Sequence, residues 1–249
     1  MRYFGIDGCK LGWFFVQINS DHSYQIGVMT SIYEIIERAR PDDIILLDIP
    51  IGLRDSGSEE RLCDKEARRL LKPKRGSSVF PAPCRPSLYE DNYSAASQTN
   101  FEKTGRRLSQ QSWAISAKIR EVDEFMVKKG SSVMFREMHP EVCFRSLNDN
   151  SPLDFTKKKK PGFDERMTLL RSYYENSDSV VKQAMEKFLR KEVARDDILD
   201  ALVGAITAMV PLMTVPDSPE YDERGLPMEI VYAECHLSPR SCPVRFRRR

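Results

Sequence analysis

The chain has 249 residues, of which 39 are basic and 37 acidic, so its net charge is +2, and 41% of its residues are hydrophobic. This composition is too apolar for a disordered protein, and a chain of this length can bury one large core. No apolar run reaches the ~18 residues of a membrane span, and the start MRYFGIDGCK lacks the apolar stretch of a signal peptide. We therefore expect a soluble, cytoplasmic protein that forms a single domain over residues 1–249.

The beginning of the chain predicts the element order β-β-β-α-β. Segments 3–7, 13–18 and 24–29 are apolar, β-branched or aromatic and are separated by turn residues, which is typical of an antiparallel meander. Segment 31–40 has isoleucines at helical spacing, with Thr30 or Ser31 as N-cap. Segment 44–47 is continuously apolar, as in a strand buried in the middle of a mixed sheet.

Residues 54–107 interrupt this pattern and are predicted to be a basic insert. The insert contains an amphipathic helix at 59–71 and a loop rich in proline and serine at 72–87. Segment 61–85 holds eight basic and two acidic residues, a local charge of +6. Such a charge is typical of a phosphate-binding surface, and equally of a solvated helix face.

The rest of the chain predicts helices, short strands and a basic tail. Ser109 is expected to cap one long helix. The remaining predictions are strands at 133–138 and 228–233, the latter at a sheet edge, helices at 141–147, 163–175, 178–192 and 195–212, and a basic tail at 238–249.

Acidic residues end two of the predicted strands and begin the last helix. Asp7 and Asp48 emerge at one sheet edge if their strands pair in parallel, and Asp197 and Asp200 share a face of a helix that packs across this sheet. Clustered carboxylates repel and raise one another's pKa unless a hard cation such as Mg²⁺ or Mn²⁺ binds them. Two such ions ~4 Å apart can activate a water and stabilise the leaving oxygen of a phosphodiester. These residues predict a metal site.

Each candidate residue also fits a structural role. Asp-Gly pairs favour turns, and acidic residues are common in the first turn of a helix. His139 is a candidate proton shuttle, or it bonds a backbone carbonyl. Lys10 and Arg75 are candidate phosphate contacts, or they are solvated side chains. The residues alone leave these alternatives open.

Several motifs carry a resemblance to a known family. They are GIDGCKLGW at 5–13, DIPIG at 48–52, RLCDKEAR at 61–68, SSVF at 77–80, LSQQSWAI at 108–115, HPEV at 139–142 and DDILDA at 196–201. Together they resemble the uncharacterised-domain family 429, described as predicted ribonuclease H-like nucleases, over about residues 3–233.

This resemblance implies an α/β fold, with a ribonuclease H-like mixed sheet of three antiparallel strands followed by parallel strands, flanked by helices. It also implies that Asp7, Asp48, Asp197 and Asp200 are metal ligands. The first helix lacks an inward-facing acid, and Glu137, His139 or Glu141 is expected to take that place. Lys10, Arg68, Arg75 and Arg85 are the expected contacts to nucleic acid.

The expected function is that of a nuclease dependent on Mg²⁺ or Mn²⁺. Two alternatives remain open at this stage. One is a non-catalytic scaffold of the same fold that binds nucleic acid or protein, and the other is a nucleotide-dependent phosphotransferase. The sequence does not distinguish DNA, RNA, hybrid and junction substrates, endo- from exonucleolytic cleavage, or one oligomeric state from another.

Overall fold

A five-stranded mixed sheet lies at the centre of the protein. The computed structural model describes residues 1–129, 135–157 and 159–234, and the predicted tail at 238–249 lies outside them. The strand order in the sheet is β3-β2-β1-β4-β5. The strands are β1 (Arg2–Cys9), β2 (Gly12–Asn19), β3 (Tyr24–Met29), β4 (Ile44–Asp48) and β5 (Phe135–Glu137).

The first three strands are antiparallel, and β4 and β5 then pair in parallel with β1 and β4. This confirms the predicted fold class, since antiparallel strands followed by parallel ones, flanked by helices, are consistent with a ribonuclease H-like fold. The first helix is shorter than predicted. It begins with a 3₁₀ turn capped by Ser31, whose side chain and that of Glu34 form a capping box, and ends at Arg38.

Nine α-helices lie in the parts of the chain that the structure describes. They are α1 (Ile35–Arg38), α2 (Leu62–Leu71), α3 (Tyr93–Thr104), α4 (Gln110–Ala114), α5 (Ser116–Lys129), α6 (Pro140–Leu147), α7 (Lys160–Tyr173), α8 (Ser177–Lys187) and α9 (Arg195–Ala208). No helix in these described parts is both long and apolar enough to cross a membrane.

The alternation of strand residues divides the core between the two faces of the sheet. Ile6 of β1 and Leu47 of β4 pack on the face covered by α5, whereas Leu46 packs on the face covered by α9. Because side chains alternate along a strand, Asp7 and Asp48 each follow a residue of the α5 face and therefore point to the α9 face.

Two predicted elements differ in the structure, and one helix was not predicted. The long helix predicted from Ser109 is two helices, α4 and α5, which are interrupted at Ile115. The insert contains α3, which the sequence pattern did not predict. The strand predicted at 228–233 is β7 (Pro227–Ala233), but it pairs antiparallel with β6 (Leu212–Tyr221) in a separate two-stranded sheet rather than at the edge of the main sheet.

Candidate metal centre

Three carboxylates meet where β1 and β4 end. Asp7 and Asp48 are direct partners in the parallel register of β1 and β4. Asp200 reaches them from α9, and one oxygen of each of the three side chains lies within 4.8 Å of the others. Asp200 is only 2% exposed, whereas Asp7 and Asp48 are half-buried. This arrangement can offer three oxygen ligands to one hard cation. We call these residues the acidic trio.

Close contact between α9 and β1 positions Asp200. A Cβ atom added at Gly5 of β1 would lie 1.9 Å from the carbonyl oxygen of Ala201. Gly204, one turn after Asp200, faces Gly5, and a Cβ added there would lie 3.1 Å from the Gly5 Cα. The two glycines let the helix backbone rest on the strand, and Asp200 is thereby carried to the end of the sheet.

The electrostatics of the trio are unfavourable without a cation. Desolvation raises the pKa of Asp7 well above its usual range, and the charges of Asp48 and Asp200 raise it further. Desolvation and then Asp200 have the same effect on the pKa of Asp48. Buried carboxyl groups with raised pKa values at the base of a cleft are typical of functional sites.

Lys157 already supplies one positive charge to the trio. Its Nζ lies 2.5 Å from Oδ2 of Asp200, and the side chain is 36% exposed. The Asp200 carboxylate raises the pKa of Lys157, so this side chain is an ammonium ion. An intramolecular cation thus contacts the residues that could hold a metal ion.

Two other predicted metal ligands lie outside the trio. Asp197 is one turn before Asp200, and its Oδ2 accepts a hydrogen bond of 2.8 Å from the backbone N–H of Ala194, so it caps α9. Desolvation raises the pKa of Asp197 to about 6. Glu137 shares the face of β5 with Phe135, which packs on the α5 side of the sheet, opposite the trio.

Glu137 is held by a buried ion pair rather than by the trio. Both of its oxygens accept from Arg61, at 2.8 and 2.9 Å, and Oε2 also accepts from the N–H of Ile51. Asp64 pairs with the same guanidinium at 2.6 Å. Burial raises the pKa of Glu137 to about 7, although the charge of Arg61 opposes that shift. This network anchors the start of the insert to the end of the sheet.

Asp7 and Asp48 line a cleft of about 820 Å³, and the buried Asp200 lies beside them. The insert forms one wall through Arg75, Ser77 and Ser78, while Lys157 and Lys159 line another. The insert therefore borders the acidic trio.

Arg75 and His139 bring polar nitrogens to this cleft. Nε and Nη2 of Arg75 and Nδ1 of His139 are buried and have no hydrogen-bond partner among the described residues. His139 Nε2 lies 3.4 Å from the carbonyl oxygen of Ser78, and burial lowers the pKa of His139, which keeps the ring neutral. Glu141 is paired with Arg166 and lies 4.0 Å from Nε of Arg75. Glu141 therefore does not join the trio.

The other predicted phosphate contacts are placed elsewhere. Lys10 is exposed in the turn between β1 and β2 and is not among the described residues of the cleft wall. Arg68 is paired with Glu60. The expectation for Arg85 needs correction, because this side chain is 1% exposed and pairs with Asp55, Asp123 and Asp222. Its role is to hold the insert against α5 and the β6–β7 hairpin.

Two features of the site were missed by sequence reasoning. Lys157 belongs to a run of four lysines, 157–160, and nothing in its local spacing indicates that it contacts Asp200. Arg61 and Asp64 lie in the motif at 61–68, but their partner Glu137 is far away in sequence. In both cases the contact depends on tertiary structure.

Comparison with known proteins gives one result. The family described as "Protein of unknown function (DUF429)" matches residues 5–219, which is most of the chain and includes the whole acidic trio. No curated protein and no solved structure matches the chain.

Proposed function

We propose that this chain, which belongs to the DUF429 family of proteins of unknown function, is a metal-dependent hydrolase that cleaves phosphodiester bonds of nucleic acid. The observation that carries the proposal is that carboxylate oxygens of Asp7, Asp48 and Asp200 lie within 4.8 Å of one another, where Asp7 and Asp48 line an open cleft. Such a set of carboxylates is costly to bury unless it binds a cation.

The donor set fits Mg²⁺ or Mn²⁺. All three donors are carboxylate oxygens, which hard divalent ions prefer, and the trio contains no thiolate or imidazole that would favour zinc. The contact between the ammonium of Lys157 and Asp200 shows only that this carboxylate is placed where it can bind a positive charge. When bound, such an ion polarises a phosphate oxygen and lowers the pKa of a water molecule.

The side chains of the chain itself would hold the substrate and move the proton. Nε and Nη2 of Arg75, which have no hydrogen-bond partner among the described residues, match the oxygens of a phosphate, which arginine binds through two parallel hydrogen bonds. Neutral His139 has an unpartnered Nδ1 that can accept a proton from the attacking water. The water oxygen then bonds to phosphorus, the phosphorus–oxygen bond to the leaving group breaks, and the leaving oxygen takes up a proton.

Cleavage assays test this function directly. Labelled single-stranded, duplex, hybrid and junction substrates are incubated with the full chain and Mn²⁺, beside Asp48→Asn and beside Asp164→Asn, an exposed aspartate on α7. We expect at least one substrate to be cut by the wild type and by Asp164→Asn, with no cutting by Asp48→Asn or after chelation. Folded wild-type protein that cuts none of the four would overturn the proposal and favour a binding scaffold.

A further inference from the structure

The side chain of Lys157 lies in the cleft, in contact with a member of the acidic trio. Its side chain enters the cleft from the segment before α7, and its Nζ contacts Asp200 Oδ2 at 2.5 Å. Lys157 lines the same cleft as Asp7 and Asp48. The ammonium therefore lies beside the trio and directly contacts one of its three carboxylates.

The formal charges around the trio favour a single divalent cation. The neighbouring acids make their closest contacts outside the trio, because Asp197 accepts from the N-terminal backbone of α9 and Glu137 pairs with Arg61, which it shares with Asp64. The three ionised carboxylates and the Lys157 ammonium together carry two negative charges. One divalent ion neutralises this group, and a second would leave two excess positive charges in a desolvated site.

The contact with Asp200 also limits the space for a second ion. An aspartate bridges two metal ions by giving each of them an oxygen. Oδ2 of Asp200 is already bonded to Lys157, which leaves Oδ1 for a metal ion. An ion placed on Oδ2 would have to displace the ammonium or lie beside it, where the two cations repel each other.

We propose that Lys157 takes the place of a second metal ion, so that the acidic trio binds one divalent cation per chain. This inference rests on the proposed metal centre and specifies its composition. The ammonium supplies a fixed positive charge next to the metal position, where it can face an oxygen of the scissile phosphate. Removal of this charge opens Asp200 to a second ion.

Metal stoichiometry tests the inference without measuring activity. The metal-free full chain is titrated with Mn²⁺ alone by calorimetry, and the Mn²⁺ electron paramagnetic resonance spectrum is recorded at saturation. We expect the wild type to bind one ion with the spectrum of an isolated spin. Lys157→Met is expected to bind a second ion, with a spin-coupled spectrum, and to bind the first about tenfold more tightly.

Two further variants serve as controls. Lys157→Arg keeps the charge and is expected to bind one ion. Lys182→Met, at a lysine on α8 whose side chain is 77% exposed, is expected to match the wild type. Circular dichroism establishes that each variant is folded, and since Lys157 is partly exposed in a loop, its replacement should not prevent folding.

The outcomes separate this inference from the proposed function. Two coupled ions in the wild type, or a single ion in Lys157→Met, would overturn it even if the protein cleaves nucleic acid. One ion in the wild type and two in Lys157→Met would support it even if every cleavage assay is negative. A wild type that binds no Mn²⁺ would overturn both proposals.

Discussion

The acidic trio is a site of charge repulsion, because its members Asp7, Asp48 and Asp200 repel one another when they are ionised. This repulsion destabilises the folded protein when no metal ion is bound. Replacing Asp48 by asparagine keeps the shape of the side chain and removes one of the charges. We therefore expect Asp48→Asn to raise the melting temperature of the metal-free protein by about 2–4 °C, or roughly 1 kcal/mol, while abolishing Mn²⁺ binding. Calorimetric melting and titration measure the two effects.

The control for this prediction is again Asp164→Asn, which removes a charge from the exposed surface of α7. Its melting temperature and its Mn²⁺ affinity should both match those of the wild type. An Asp48→Asn variant that melts below the wild type would show that the Asp48 carboxylate makes a net stabilising interaction in the metal-free protein, contrary to this prediction.

The same residues predict how stability depends on pH. The pKa values of Asp7 and Asp48 are raised in the folded chain by desolvation, and that of Asp197 is raised to about 6. The folded state then binds more protons than the unfolded state, and this proton binding stabilises the folded protein. The stabilisation is complete below about pH 4 and is lost as the pH rises through the folded pKa values. In urea titrations of the metal-free protein, this contribution to the unfolding free energy should fall as the pH rises above about 4 in the wild type. The fall should be smaller in Asp48→Asn, and an equal fall in both proteins would contradict the assignment.

Arg75 tests the contact with substrate phosphate. Its Nε and Nη2 atoms have no hydrogen-bond acceptor among the described residues, but Nε lies 4.0 Å from a carboxylate oxygen of Glu141 and the side chain is only 12% exposed. Because Glu141 keeps its pair with Arg166, Arg75→Gln should cost only about 1 kcal/mol of stability. Loss of charge-assisted hydrogen bonds to phosphate should weaken binding of the best-cleaved nucleic acid about tenfold, as measured by fluorescence anisotropy. Arg69→Gln, at a side chain 76% exposed in the same basic segment, should bind as the wild type does. Equal affinities for Arg75→Gln and Arg69→Gln would exclude this contact.

At the scale of secondary structure elements, the site depends on how closely α9 approaches β1. A methyl group at Gly5 would lie 1.9 Å from the Ala201 carbonyl oxygen, so the helix must move away or the strand must bend. Gly5→Ala should destabilise the protein by about 1–3 kcal/mol, and it should weaken Mn²⁺ binding because Asp200 is displaced from Asp7 and Asp48. Urea unfolding and Mn²⁺ titration measure these effects.

Gly57→Ala is the control for Gly5→Ala, because it measures the loss of stability from replacing a glycine whose added Cβ would not meet a neighbouring element. Gly57 has a φ of +104°, but a Cβ added there has nothing within 4 Å. The substitution should therefore cost stability through backbone strain and leave Mn²⁺ affinity unchanged. If Gly5→Ala also kept full Mn²⁺ affinity, contact between α9 and β1 would not be what positions Asp200.

Elements with a local hydrophobic pattern could be predicted from the sequence, and elements without one could not. The strands at 3–7, 13–18, 24–29 and 44–47 are present because each segment is rich in apolar, aromatic or β-branched residues. In contrast, α3 (Tyr93–Thr104) is polar on most of its surface, and β6 contains two prolines. Both elements are stabilised by contacts with neighbouring elements. Such contacts cannot be predicted from the local sequence pattern.

At the scale of the whole molecule, the charge of segment 61–85 is another property that tertiary contacts change and that the local sequence does not predict. Counted along the chain, this segment carries +6 and predicts a phosphate-binding surface. In the fold, its basic side chains are largely paired with acids from other segments. These pairs are Arg61 with Glu137, Lys65 with Glu59, Arg68 with Glu60, Lys74 with Asp154 and Arg85 with Asp123. Local charge therefore overestimates the positive surface, whereas the positions of Asp7 and Asp48 follow from strand order alone.

The buried ion pairs of Arg85 predict that the stability of the protein and its metal binding can be changed separately. Its guanidinium is 1% exposed and joins the insert to Asp123 of α5 and to Asp222 beside the hairpin. Arg85→Met would leave both buried carboxylates without this partner, at a cost of about 3–5 kcal/mol measured by urea unfolding. Arg69→Met, at an exposed position, should change stability by less than about 0.5 kcal/mol.

The trio is held by β1, β4 and α9, not by the insert, so Arg85→Met should keep the Mn²⁺ affinity of the wild type at temperatures where it is folded. Cleavage should nevertheless fall, because the insert supplies the wall of the cleft that carries Arg75. Adding Asp123→Leu removes one of the uncompensated charges and should recover part of the lost stability without restoring cleavage. A parallel loss of Mn²⁺ affinity and cleavage in folded Arg85→Met would instead mean that the insert shapes the metal centre itself.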